Sequence, residues 1–230
     1  MKYEISITPF WKIVVHGSDD YHLGERILFK TKDGIDTGTI CAQAVEEESI
    51  GEILRPVNDE DLAKLEELKE YAEWCLFEFK NAIRAFNMDM KAVYAHCQFD
   101  AERVIFYFTA EHKMKFRKLH RFISQQLNKR VVIKQIGARD FARYCGGMGP
   151  CGRKVCCAAF LKDLKSISLR MARRQNIFLT PNKLSGICGK LLCCLNFEED
   201  FYTDFRPVAI DQKTNGVANG ENTQPEIEDL

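Results

Sequence analysis

A chain of 230 residues with an apolar fraction of 46% can bury the cores of two compact domains, which excludes a largely disordered protein. Lys plus Arg and Asp plus Glu number 33 each, so the formal net charge is zero. No run approaches the roughly 20 apolar residues that span a bilayer, and Met1 to Phe10 lacks the basic-then-apolar layout of a signal peptide, so a cytoplasmic chain without membrane insertion is expected.

Taken in chain order, residues 1–50 read as a small β-domain. Its strands are predicted at 13–15, 26–29 and 37–40, with Asp33-Gly34 as a hairpin signal because both residues favour positive φ. A long helix follows, capped by Asn58, with Asp59, Glu60 and Asp61 complementing the positive end of its dipole. It is expected to run to Phe86 behind an apolar stripe of Leu62, Leu65, Leu68, Ala72, Cys75, Phe79, Ile83 and Phe86. Period-2 runs at 90–99 and 103–109 predict a hairpin, with Val93, Ala95, Cys97 and Phe99 sharing one face. An amphipathic helix through Phe116, Leu119, Ile123 and Leu127 then leads to a strand at 131–133. With a leading strand at Ile53-Leu54, residues 52–137 take the order of a ferredoxin-like split β-α-β domain, so the fold class is α+β.

From Gly137 the chain turns to glycine-punctuated loops, a Cys-rich region over 138–205 with one short basic helix expected from Ser168 to Gln175. Residues 211–230 are polar and acidic and read as a disordered tail. Between Arg139 and Lys190 stand 11 Lys or Arg against Asp140 and Asp163, a local charge of +9 that leaves −9 for the remainder. Such a basic window suits RNA or an acidic partner, unless the acidic remainder neutralises it.

The chemistry is concentrated in a duplication. Cys151-Gly152-Arg153-Lys154-Val155-Cys156-Cys157 recurs 37 residues later as Cys188-Gly189-Lys190-Leu191-Leu192-Cys193-Cys194, so six of the ten cysteines lie in two Cys-Gly-x-x-x-Cys-Cys loops. Thiolates on glycine-flexed backbone suit soft-sulfur metals, and short spacings in a reducing compartment point to a metal centre before disulfides. Two arrangements stand open. In one, Cys151, Cys156, Cys188 and Cys193 form a tetrahedral zinc site while Cys157 and Cys194 pack. In the other, all six serve iron-sulfur clusters, which take four ligands each, and the missing thiolates come from another chain or in part from Cys145. Cys41, Cys75 and Cys97 read as packing residues.

The string Gly146-Gly147-Met148-Gly149-Pro150-Cys151-Gly152, with Met171-Ala172, Gln175-Asn176 and Pro181-Asn182-Lys183-Leu184-Ser185-Gly186-Ile187-Cys188-Gly189, resembles the bacterial YaaT (RicT) family, whose members carry the PSP-one C-terminal domain. The resemblance spans roughly residues 10–200. It implies a non-catalytic regulatory subunit that joins two small helical proteins, RicA (YmcA) and RicF (YlbF), in a complex holding [4Fe-4S] clusters. It further implies modulation of the endoribonuclease RNase Y in mRNA processing, with roles in sporulation, competence and biofilm formation. Cys151, Cys156, Cys157, Cys188, Cys193 and Cys194 are the ligands so implied; Cys145 falls outside the pattern.

An enzyme of its own is not expected. His16, His22, His96, His112 and His120 form no metal-spaced or triad-like cluster, and no Gly-Lys-Ser/Thr follows the glycines around Pro150. The competing reading is a zinc-stabilised RNA-binding module with Arg143, Arg153, Lys154, Arg170, Arg173 and Arg174 on phosphates.

Overall fold

The computed structural model describes residues 1–44, 48–112, 114–161, 165–177 and 180–202. The acidic tail expected at 211–230 lies outside the described residues. The chain divides into two units, residues 1–164 with 186–190, and residues 165–185 with 191–230.

The first unit opens with a closed barrel of β1 (Lys2–Thr8), β2 (Trp11–His16), β3 (Arg26–Thr31), β4 (Gly34–Ala44) and β5 (Gly51–Pro56), in the order β1-β2-β5-β3-β4. Alternation decides its interior: Tyr3 and Ile5, Ile13 and Val15, and Ile27 and Phe29 point inward with Ile40 and Ile53. Ile53 corrects the sequence expectation. β5 pairs with β3 antiparallel and β2 parallel, closing the barrel, so the strand predicted to lead the second sheet is absent from that sheet. The β3–β4 hairpin forms, but only Gly34 of the Asp33-Gly34 pair adopts positive φ, at 126°.

The second layer is α+β, as the period switching predicts. α1 (Asp59–Ala85) begins with a full capping box: the Asp61 amide donates to the Asn58 side chain and the Asn58 amide to the Asp61 carboxylate. Arg55 also clasps that carboxylate and holds its pKa below the usual range. β6 (Lys91–Cys97) and β7 (Arg103–Thr109) pair antiparallel, while β8 (Arg130–Gln135) lies parallel to β7, giving the order β6-β7-β8. Three strands with one parallel pairing therefore replace the expected four-stranded antiparallel sheet. A bulge between Ala92 and Tyr94 shifts the β6 alternation. Ala92, Ala95 and Cys97 face the helices, whereas Val93 turns to the opposite side with Tyr94.

One face of this sheet packs on Cys75, Phe79, Ala82 and Ile83 of α1 and on Leu119, Ile123 and Leu127 of α2 (Arg117–Leu127). Phe79 stacks on Phe106 at 4.4 Å between centroids. The two ends of the α1 stripe, Leu62 and Phe86, are exposed, because a helix of 27 residues overhangs a sheet of short strands. The other face, carrying Ile105 and Tyr107, receives Phe10 and Trp11 from the barrel.

Barrel and sheet are joined by partly buried polar contacts at one end. His96 Nε2 meets Asp36 Oδ2 at 2.8 Å, the Ile35 amide donates to Asp100 at 2.9 Å, and Gln98 donates to the Asp33 carbonyl at 3.2 Å. Arg103 donates to Gln98 at 3.1 Å and reaches Asp33 at 3.4 Å. At the other end Thr8 donates to the hydroxyl of Tyr107 at 3.1 Å, and burial pushes the pKa of that phenol up to about 12.

Gly34 sits at the polar joint, where an added Cβ falls 2.2 Å from Asp100 Oδ2. Gly34→Ala is expected to lower stability by about 2 kcal/mol or more through strain and displacement of Asp100. Gly24→Ala, at φ 87° in open space, should cost only about 1 kcal/mol. Denaturant unfolding of the two variants measures the difference.

Candidate metal centre

β8 runs through the buried Ile136 into α3 (Ala138–Cys145), a helix where glycine spacing predicts only loop. Aromatic packing explains it. Tyr144 lies 5.1 Å from Phe10 and 6.0 Å from Tyr94 between centroids, and Phe141 packs on the Ile105, Tyr107 and Ile136 cluster. Cys145 is the exposed last residue of this helix. Gly146 and Gly147, at φ 71° and 112°, then break the helix and release the first cysteine loop.

The two loops duplicate in structure as they do in sequence. In the first, the Gly149 amide donates to Arg153 O at 2.8 Å, Gly152 N to Gly149 O at 3.0 Å, and Val155 N to Gly147 O at 3.1 Å. In the second, Gly186 N donates to Lys190 O at 2.8 Å, Gly189 N to Gly186 O at 2.9 Å, and Leu192 N to Leu184 O at 2.9 Å. The bridges Met148–Lys154 and Ser185–Leu191 also correspond. Each loop is thus a tight hairpin: a four-residue turn with cysteine at its third position, followed by a glycine in the left-handed region, Gly152 at φ 74° and Gly189 at φ 72°. That glycine explains the Cys-Gly pair. The pattern then delivers two further cysteines to the start of a short helix, α4 (Cys156–Ala159) or α7 (Cys194–Phe197).

The six predicted ligands do not occupy equivalent surroundings. Cys151 is exposed at the first turn. Cys156 and Cys188 are half-buried and Cys157 is buried. The turn Gly186–Lys190 groups with the first unit, where Ile187 reaches to 3.6 Å from a Cβ built on Gly147. Cys188 accordingly stands in the same unit as Cys151, Cys156 and Cys157. Cys193 and Cys194, both half-buried, belong to the second unit. Its core is Ala172, Leu184 and Leu195, around α5 (Leu169–Arg174) and α6 (Pro181–Leu184).

Among the described residues, no three or more His, Cys, Asp or Glu side chains converge as a group able to hold a metal ion. The donor chemistry of these thiols suits a thiophilic metal such as zinc or the iron of a cluster. Of the other four cysteines, Cys145 is exposed, Cys41 is half-buried, and Cys75 and Cys97 are buried. Cys41 approaches the Thr39 carbonyl at 3.5 Å within β4. Cys75 and Cys97 are hydrogen-bonded to each other in the core, which holds the Cys75 thiol below its ordinary pKa and pushes that of Cys97 above it.

Several polar residues singled out from sequence are engaged within the fold. Arg143 donates to the Leu161 carbonyl at 3.0 Å, and Arg174 pairs with Glu199 at 2.6 Å. Arg153, Lys154, Arg170 and Arg173 are exposed. His120 meets the Val131 carbonyl at 2.9 Å. The positioning residues that composition alone did not mark are the hydrophobic anchors: Val155 is buried in the first hairpin and Leu184 and Leu195 in the second. Val155 directly precedes the first Cys-Cys pair and Leu195 directly follows the second, so part of their signal lay in an apolar residue adjoining each pair.

Residues 51–136 match the family model of the PSP1 C-terminal conserved region, and residues 166–209 match that of the PSP1-like protein third domain. A curated relative, the stage 0 sporulation protein YaaT of Bacillus subtilis (strain 168), is 37% identical over 182 residues, covering 76% of this chain and 66% of the relative. The chain belongs to the YaaT/PSP1 family. It spans just under two thirds of the length of that relative. No solved structure gives a significant match. In this family member the PSP1 C-terminal region begins at the last barrel strand, and the match to the third domain takes in α5, α6 and the second cysteine hairpin.

Gly152→Ala and Gly189→Ala meet no atom within 4 Å, so only the positive φ opposes them. Each is expected to cost about 1 kcal/mol of local stability, read as faster hydrogen exchange at the Gly149 or Gly186 amide.

Proposed function

We propose that this chain is a non-catalytic, cytoplasmic regulatory subunit whose twin cysteine hairpins contribute thiolates to a metal centre completed by partner chains. The observation that carries the reading is the doubled hairpin itself. The same turn, glycine and Cys-Cys pair are built twice at a spacing of 37 residues, yet among the described residues no metal-holding group is assembled. A motif kept in duplicate but ligand-poor within one chain fits a centre shared between chains, of which a [4Fe-4S] cluster is the form proposed and zinc the alternative. Family membership supports the setting. Small helical partners of the RicA (YmcA) and RicF (YlbF) kind and an endoribonuclease of the RNase Y kind are the proposed associates, with mRNA processing as the process modulated. The relative's name places that protein in sporulation, and a developmental role of this type is proposed here. Among the described residues no helix is long and apolar enough to cross a membrane.

The zinc-stabilised RNA module at the cysteine loops is the weaker reading, because Arg143 and Arg174, two of its six phosphate contacts, are held by Leu161 and Glu199.

Purification without oxygen, alone and with the partner chains, tests the proposal. Iron and sulfide are expected with the complex, and Cys151→Ser, Cys156→Ser and Cys193→Ser should each lower iron content and weaken association together. Stoichiometric zinc with neither iron nor sulfide in both preparations overturns the iron-sulfur assignment.

A further inference from the structure

α2 carries a one-sided charge that the cysteine region does not account for. Between Glu111 and Asp140 there is no Asp or Glu, and nine Lys or Arg occupy that interval. Some are used by the fold: Lys129 donates to the Ala101 carbonyl at 2.6 Å, and Lys134 lies over the Trp11 ring at 3.9 Å. Lys115, Arg117, Lys118, Arg121 and Arg130 are exposed, and among the described residues none of them has an ion-pair partner.

The face of α2 that carries Arg117, Lys118 and Arg121 cannot turn away from solvent, because Leu119, Ile123 and Leu127 on the other side of the helix are locked in the core. Arg117, Arg121, Ser124, Gln125 and Asn128 line a shallow groove of about 590 Å³ along the helix. Beside it Phe122 is 43% exposed, its ring edge-on to the 38% exposed Phe86 at 5.5 Å between centroids. Exposed aromatic rings next to unpaired guanidinium groups form a surface on which bases stack while phosphates are neutralised.

Local energetics point the same way. α1 starts with a capping box and three acids, whereas α2 has no side-chain cap and no acid in its first turn. Arg117 and Lys118 stand there instead, against the positive end of the dipole, where a cation is unfavourable. Burial of the opposite face holds the helix despite this. Cations kept where they weaken their own helix are accounted for by an anion that they bind.

We infer that the exposed face of α2 binds single-stranded RNA, with Arg117, Lys118 and Arg121 on phosphates, Phe122 stacking a base, and the Gln125 and Asn128 side chains within reach of sugar hydroxyls. The interface uses none of the cysteines, so iron-free protein should bind equally, and its failure would leave the metal-centre proposal untouched.

The test is fluorescence anisotropy of the full chain with a labelled single-stranded RNA about 12 nucleotides long, at a series of salt concentrations. The triple variant Arg117→Ala, Lys118→Ala, Arg121→Ala should raise Kd at least about tenfold and reduce the slope of log Kd against log salt by roughly 2. Its melting temperature should equal or exceed that of the parent, since repulsion at the helix start is removed. Phe122→Ala should raise Kd about fivefold or more without changing the slope. Arg153→Ala with Lys154→Ala, in the cysteine hairpin, should leave Kd unchanged. An RNA affinity and salt slope unaltered in the folded triple variant would overturn the assignment. So would competition by polyglutamate at the same charge concentration with no effect of Phe122→Ala, which identifies an acidic protein as the occupant. Equal affinity for DNA of the same sequence would overturn the choice of RNA.

Discussion

Burial of β7 on both faces is the constraint on which the first unit depends. Val104, Phe106 and Phe108 point to the helices while Ile105 and Tyr107 point toward the barrel residues, and each is at most 1% exposed. A strand buried on both sides must have every backbone group paired. β6 and β8 supply those pairings in opposite senses, so the sheet has its order imposed from the centre outward. The polar joint around Asp33, Asp36 and Asp100 then sets how the barrel hairpin meets the β6–β7 turn. Apolar contact gives attraction there without register, whereas directional hydrogen bonds to the buried Asp36, to Asp100 and to the Asp33 carbonyl fix the seating.

The first cysteine hairpin inherits its position from this arrangement. Phe10 of the barrel packs against both Tyr107 of β7 and Tyr144 of α3, at 5.1 Å between centroids in each case. Tyr144 lies one residue before the end of α3, and the glycines that follow lead directly into the hairpin. A run of packed aromatic rings thus connects the central strand to the end of α3, from which the chain enters the first cysteine turn. The hairpins take their shape from a different set of contacts. Their hydrogen bonds are internal and recur at a fixed offset, so each turn is a self-contained device that holds one cysteine at its tip and two at the following helix start.

Charge is distributed with the same selectivity. α1 is capped as a stability-optimised helix, with acids at its start, while α2 carries cations at the same position and is held by packing alone. The contrast within one domain separates residues that serve the fold from residues that the fold tolerates. The basic window noted between Arg139 and Lys190 is likewise heterogeneous, since Arg143 and Arg174 are anchored by Leu161 and Glu199 and the exposed remainder is divided between two units.

The sequence by itself determined whatever depends on local periodicity or local turn chemistry. The start of α1 at Asn58, the core faces of α1 and α2, the β6–β7 hairpin and the glycine-dependent cysteine turns were legible because capping, helical spacing and positive φ act over a few residues. Tertiary structure decided what rests on distant partners. Ile53 joined the barrel because β2 and β3 offered an edge that closes it; the bulge after Ala92 redirected Val93; and α3 formed in a glycine-rich stretch because Phe10 and Tyr107 gave its aromatic residues something to pack against. The grouping of Cys188 with the first unit and of Cys193 and Cys194 with the second belongs to the same class. A repeat in sequence specifies two like turns, but which unit each turn packs into is set by long-range contacts that a motif does not encode.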